Sequence, residues 1–488
     1  MTTNAQFDAA LALHRFGLAP LSGSIAAIAD DPRGALLAEL EQPGAGLVAA
    51  PNLPNSAAAS RAFFEYRAKL QAQRKLAQRA KEAAAKVAAA KPTSGGATAG
   101  KTAIPNPEAQ SAEQDTMQDQ EDRPANVGVQ LVQNEAKVHI AAAVSAKIGF
   151  VERLVWFWSN HFCVSTDKSI SMSGAYEREA IRPHVLGRFA DLLVAAESHP
   201  AMLFYLDNAE SVGPNSVAGI NRNRGINENF AREILELHTL GVRTGYTQAD
   251  VTCFANTLTG WTFIGTGIPE HGGEFVFFER AHEPGEQTVL GKRYPDTGFA
   301  QGRAVLADLA RHPATARHVA EKFARHFVAD EPPPELVNRL RTTFSDTDGD
   351  LKQLARTLIL AEESWTPART KLKRPCEWHI AALRLTGSHG RVASFMTGQT
   401  LLGEPLWRPS APNGFSDYAA AWIDGLAERA DIASNFAVRV ADRLDPKALV
   451  DEGLGPLASP QTREAVGRAG SRAQALALLL MSPEFLRR

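Results

Sequence analysis

Asn227-Glu228-Asn229-Phe230-Ala231-Arg232-Glu233-Ile234-Leu235-Glu236-Leu237-His238-Thr239-Leu240-Gly241 reads as one helix with marked ends. Asn227 is a natural N-cap, Glu228 suits the positive end, and Gly241 is placed to close the last turn. Ala231, Ile234, Leu235 and His238 share an apolar face. Glu228, Arg232 and Glu236 follow at i, i+4 and i+8 on the other side, with Asn229 and Glu233 beside them. The plain reading is a surface salt ladder worth about 0.3–0.5 kcal/mol per pair. The sharper one is a partly buried carboxylate cluster with an arginine clamp, able to hold a metal or orient a polar or anionic substrate.

Working outward, helix-length periodic segments dominate: 128–162, 175–207, 227–241, 247–261, 300–329, 335–345, 350–364, 371–386 and 470–486. Gly187, Pro200, Gly260, Pro313, Pro332 to Pro334, Pro367 and Gly387 punctuate them. Residues 274–291 break the pattern and predict a β-hairpin with an irregular loop. The fold class is mainly α: a multi-helix globular domain with a small β-hairpin and a helical and disordered insertion.

That insertion lies between two parts of the helical body. Residues 1–50 hold short N-terminal helices, 51–125 the insertion, and 126–488 the main body, as one or two sub-domains. Residues 61–91 carry nine Lys or Arg against two Glu, with 11 alanines in 31 positions, which predicts an exposed helix. Residues 92–125 are rich in Pro, Thr, Ser, Gly and Gln, with six acidic residues from Glu108 to Asp122. Such a composition predicts disorder, because too little apolar surface is available to offset chain entropy.

The 488 residues are 44% hydrophobic and 22% charged, and 52 Lys and Arg against 54 Asp and Glu give a net charge of −2. That balance supplies no protein-wide basic field for nucleic acid. Three separated cysteines, Cys163, Cys253 and Cys376, argue against a disulfide scaffold and fit a reducing compartment. No run approaches the ~18 apolar residues of a membrane span. The N-terminal residues show no basic segment followed by an apolar core, so a cytoplasmic location is expected.

Two apparent motifs fail on context. Gly95-Gly96-Ala97-Thr98-Ala99-Gly100-Lys101-Thr102 matches the phosphate-loop spelling, but Lys91-Pro92 precedes it and Pro105 and Pro107 follow. The strand and helix that would aim its N–H groups at a phosphate are missing. His282-Glu283 runs into Pro284-Gly285 and not into a ligand-presenting helix.

Other segments add candidates. Leu154-Val155-Trp156-Phe157-Trp158-Ser159-Asn160-His161-Phe162 packs three large aromatics and an Asn-His pair into one helical end. Leu206-Asp207-Asn208 places a carboxylate at the end of an apolar run. Leu258-Thr259-Gly260-Trp261 ends a helix with an aromatic, and His282 projects from the predicted hairpin.

Together these stretches resemble the domain-of-unknown-function 1800 family: Trp158 to Phe162, Met202 to Asn208, Asn227 to Val242 and Leu258 to Trp261. His282 to Gly285, Val289-Leu290-Gly291, His312 to Ala316 and Met481-Ser482-Pro483-Glu484-Phe485 extend the likeness. It covers about 7–45 and 126–488. The resemblance implies a bacterial, mostly helical protein without an assigned activity, and a sulfatase-like companion of the domain-of-unknown-function 1501 family. Many relatives carry export signals; here, export would depend on a partner.

Two readings follow. In the first, the chain is a metal-dependent enzyme or metal-binding protein. His161, Asp207 and Glu233 would be ligands for zinc, manganese or iron. Asp207, Glu228, Arg232, Glu233 and His238 would be catalytic, and Asn160, Asn208, Asn229, Trp261 and His282 would bind substrate. Against it, Glu233 and His238 point to different sides of a regular helix. In the second, the same residues form buried networks that specify the fold, and the chain is a non-catalytic partner assisting its companion's maturation or export.

Overall fold

The computed structural model describes residues 2–89, 126–220, 225–388 and 390–488. The glycine-rich stretch 95–102 and the segment 92–125, expected to be disordered, lie outside the described residues.

Helix α1, Thr2–Arg15, ends in the buried His14 and Arg15. Helix α2, Ser56–Ala89, is the expected charged helix, exposed at every described position beyond Leu70. The sequence pattern over 128–162 predicts continuous helix. The structure instead has α3, Val127–Ser145, and α4, Phe150–His161. The break is at Gly149, whose φ of 88° suits a residue without Cβ. Asn126 caps α3, its side-chain oxygen accepting from the Gly128 and Val129 amides at 3.1 and 3.4 Å. Helix α4 is buried on nearly every side, as its apolar sequence dictates.

Helix α5, Ser173–Tyr176, widens into a π turn over Glu177–Ile181, after which Pro183 has no N–H to continue a regular helix. Helix α6, Asn229–Glu233, widens in the same way over Ile234–His238. A capping box between Thr247 and Asp250 starts α7, Gln248–Leu258. Helices α8, Pro313–Phe327, and α9, Pro375–Thr386, both begin on proline, where the missing N–H costs nothing. All twelve residues of α9 are buried.

Among the described residues, the strands form two antiparallel pairs. Strand β1, Trp261–Phe263, pairs with β2, Phe275–Phe277, and β3, Gln287–Val289, pairs with β4, Lys292–Tyr294. The single hairpin expected over 274–291 is therefore divided: its halves pair with different neighbours. Leu290 and Gly291, both at positive φ (49° and 76°), form the two-residue turn that sends β3 straight back into β4. Trp261 opens a strand because Gly260, at φ 82°, has already ended α7.

Two hydrophobic clusters fill the body. One gathers Leu13, Phe16, Phe150, Phe157, Trp158, Phe189, Phe254 and Phe323. The other surrounds α9 with Ile140, Trp378, Phe395, Phe436, Leu476 and Phe485. Each such side chain contributes roughly 1.5–3 kcal/mol when fully buried. Trp156 packs against both clusters and marks the seam between them. No helix among the described residues is long and apolar enough to cross a membrane.

Candidate functional site

A cavity lies at this seam. It has a volume of about 80 Å³ and is walled by Trp156, Tyr176, Trp407 and Phe415. Polar groups from several elements reach it: His139 of α3, Ser159 and Asn160 of α4, Glu177 of the first π turn, His326 of α8, and Glu377 of α9. Residues 402–418, irregular throughout, cross its outer side as a strap carrying Glu404, Trp407 and Phe415. An irregular stretch this long in a compact helical body is uncommon and usually serves a site.

Side chains from the body hold the strap down. The Asn160 amide donates to the Phe415 carbonyl at 2.9 Å and accepts from the Phe415 N–H at 2.8 Å. The Trp407 indole N–H donates to Glu177 Oε2 at 3.0 Å, and the Trp407 carbonyl accepts from the Thr166 amide at 2.8 Å. A Cβ on Gly414 would stand 2.4 Å from the Asn160 carbonyl oxygen, so only glycine fits where strap meets helix.

The cavity floor is unusually rich in buried charge. Burial pushes the Glu177 carboxyl up, but the His139 ring at 3.0 Å and the Arg182 guanidinium at 3.0 Å outweigh it and hold the group well below the usual carboxylate range. Glu377 behaves the same way between Arg153, 3.0 Å away, and Arg488, 2.8 Å away. Glu404 is the exception: although Arg374 pairs with it and the Cys376 amide donates to it at 2.8 Å, burial wins and raises it. Burial also pushes the Cys163 thiol up to about 12, so it is no ready nucleophile.

His326 and Asp417 form the most suggestive pair. His326 Nδ1 donates to Asp417 Oδ1 at 2.8 Å. Burial lowers His326 to about 4 despite that carboxylate. Burial pushes Asp417 up, but the His326 hydrogen bond, Arg374 and Lys371 hold it well below the usual range. The imidazole is thus neutral, with its proton on Nδ1 and a lone pair on Nε2. Among the described residues, His326 Nε2 has no hydrogen-bond partner, nor have the Trp156 indole N–H and Gln399 Oε1. All three belong to residues lining this cavity.

Of the residues expected to be catalytic, substrate-binding or metal-ligating, only Asn160 lines this cavity. The others stand in several places. His161 is buried against Phe157, Trp158 and Phe162, with Nε2 3.0 Å from the His238 carbonyl. Asp207, at φ 60°, is exposed and paired with Lys168 at 2.7 Å. Asn208 is buried and donates to the Leu258 and Trp261 carbonyls at 3.1 and 3.0 Å, fixing the buried Trp261. Glu228 and Glu236 flank Arg232 at 3.4 and 3.8 Å as the plain salt ladder, and Asn229 is exposed. His282 Nδ1 lies 3.0 Å from the Thr259 carbonyl. Among the described residues, no three His, Cys, Asp or Glu side chains form a group that could hold a metal ion, so His161, Asp207 and Glu233 are not assembled into one ligand set.

The second π turn changes the argument about Glu233 and His238. On a regular helix they diverge. In a turn closed from i to i+5, residues five apart come toward one face. Burial raises Glu233, and the His238 ring partly offsets the shift. His238 itself is fully buried, with Nδ1 2.7 Å from Glu197 Oε1.

Sequence reading missed Glu177, His326, Glu404, Trp407 and Asp417. A signal was present: Gly403, Pro405, Pro409, Pro412 and Gly414 crowd one stretch of an otherwise helical chain.

Neither a curated protein nor a solved structure matches the chain. A family model described as a protein of unknown function, DUF1800, matches residues 11–487. With nearly the whole length matched and a mainly helical fold in place, the chain belongs to the DUF1800 family.

Proposed function

We propose that the chain is an enzyme that binds a small organic molecule beneath the strap and uses His326 as its general base. The observation that carries this reading is the His326–Asp417 pair: a neutral imidazole oriented through Nδ1, with Nε2 unengaged, in the wall of an aromatic cavity. Base, orienting carboxylate and enclosed pocket are the parts that proton abstraction needs. The Trp156 N–H and Gln399 Oε1 offer a donor and an acceptor for fixing a polar ligand.

A fragment library screened by ligand-observed NMR tests it, with wild type beside His326→Gln and Trp156→Phe. Fragments that bind wild type and weaken at least fivefold in both folded variants support the reading. An absence of binders, or binders indifferent to both substitutions, overturns it. Metal analysis of the same protein decides whether zinc, manganese or iron takes part in the chemistry.

The non-catalytic reading draws support from a different surface. Val217, Ile220 and Phe278 are exposed on adjoining loops, joined where the Ala218 amide donates to the Arg280 carbonyl. Binding of the sulfatase-like companion, abolished by Val217→Asp with Ile220→Asp and untouched by His326→Gln, would favour that role.

A further inference from the structure

The outer side of the strap forms the wall of a second, wider cleft, which shares Asn160, Pro405 and Phe415 with the cavity. Its opposite wall is one face of α8, where His318, Lys322 and Arg325 follow at i, i+4 and i+7. Lys322 is half-buried and has neither an ion pair nor a hydrogen bond among the described residues. Arg325 spends only its Nε on the Asp330 carbonyl at 3.2 Å and stacks its guanidinium over Tyr418 at 5.0 Å. That leaves its two terminal nitrogens facing no acceptor among the described residues.

The acidic groups of the cleft are already engaged. Asp167 pairs with Arg408 at 3.1 Å, and Asp417 is held by His326 and Arg374. Two cations therefore face the cleft without matching anions. Ser410, Asn413 and Ser416 of the strap add hydroxyl and amide groups opposite them.

We propose that this cleft binds a phosphate- or sulfate-type oxyanion, gripped by Lys322 and Arg325. Half-burying an ammonium with no ion-pair partner is unfavourable, and burial lowers the lysine below its ordinary value although the Asp417 carboxylate, already engaged by His326 and Arg374, partly offsets it. A bound oxyanion would relieve both, through charge-assisted hydrogen bonds of the kind that lysine and arginine give to phosphate.

The test is calorimetric titration of the full chain with inorganic phosphate, sulfate and phenyl phosphate at constant ionic strength, with chloride as control. Lys322→Met and Arg325→Gln are titrated in parallel. The expected result is phosphate or sulfate binding that falls at least tenfold in Lys322→Met and at least fivefold in Arg325→Gln. Tighter binding of phenyl phosphate would mark an organic ester as the ligand, and equal binding the free anion. Without anion, Lys322→Met should melt higher than wild type, because an unpaired cation has been removed. Should that variant not fold, Arg325→Gln decides alone. No binding to wild type, or binding unchanged in the folded variants, overturns the proposal.

Discussion

Asn160 and Phe415, 255 positions apart, are joined by two hydrogen bonds through both ends of one amide. This clamp predicts the behaviour of the whole strap. Asn160→Ala should lose about 2–3 kcal/mol in urea unfolding, since two partly buried backbone groups are left unpaired. Gly414→Ala should cost at least as much, because its Cβ would meet the same asparagine and its φ of 73° disfavours a side chain. Limited proteolysis should cut both variants within 402–418 well before wild type. Unchanged cleavage would show that the strap is held elsewhere.

Asp417 should be harder to replace than its partner. Asp417→Asn removes the charge that faces Arg374 and accepts from His326, and about 3–5 kcal/mol of stability should go with it. His326→Gln leaves the carboxylate its cations and should cost about 1–2 kcal/mol. Chemical denaturation of the two variants gives the order directly.

Acid should weaken the fold in two stages. Burial lowers His14, His161, His318, His326 and His379 below the ordinary value of 6.5, the last three to about 4. These rings stay neutral in the folded chain while the unfolded chain takes up protons. The unfolded state therefore binds more protons between about pH 6.5 and 4, and stability falls as pH drops through that window. Each ring adds up to about 1.4 kcal/mol per pH unit. Glu177, Glu377 and Asp417, all lowered, stabilise the fold above their unfolded values and lose that contribution only at lower pH. Melting temperature should decline from pH 6.5 downward, less steeply in His326→Gln. A plateau extending to pH 5 would contradict the burial of these rings.

Arg384, outside the cavity, should also be costly to remove. Its guanidinium donates to the carbonyls of Ala19, Ala143 and Lys147 at 2.9, 2.9 and 3.1 Å, and to that of Ala146 at 2.5 Å. These include the C-terminal carbonyls of α3, which have no partners inside the helix. Arg384→Met should lose about 3–5 kcal/mol, measured by urea unfolding.

Local signals were legible in the sequence. The capped, laddered helix after Asn227, the charged helix beginning near residue 61 and the helical character of the body all follow from spacing and end residues. What the sequence could not display were partners distant along the chain. His139 meets Glu177 across 38 positions, Trp407 meets Glu177 across 230 and Arg153 meets Glu377 across 224. Nor does a 3.6-residue period reveal a π turn: one extra residue moved Glu233 and His238 toward one face while leaving the apolar pattern intact. Asn160 was singled out for its neighbours in sequence, yet it matters because of Phe415. The buried charge went unnoticed because Glu177 and Arg182 sit in a stretch that reads as an ordinary surface helix.

Helix α2 has a practical consequence. Its 34 residues reach roughly 50 Å at 1.5 Å per residue, and its positions from Gln71 to Lys86 are all exposed. At its root, Phe63 lies against Gly128 near the start of α3, a Cβ there standing 3.0 Å from the ring. The root of α2 and the start of α3 thus lie side by side. A stiff arm of this shape can be trimmed to a short turn, or lengthened with a folded passenger as an orientation marker for electron microscopy, without reaching the cavity or either cluster.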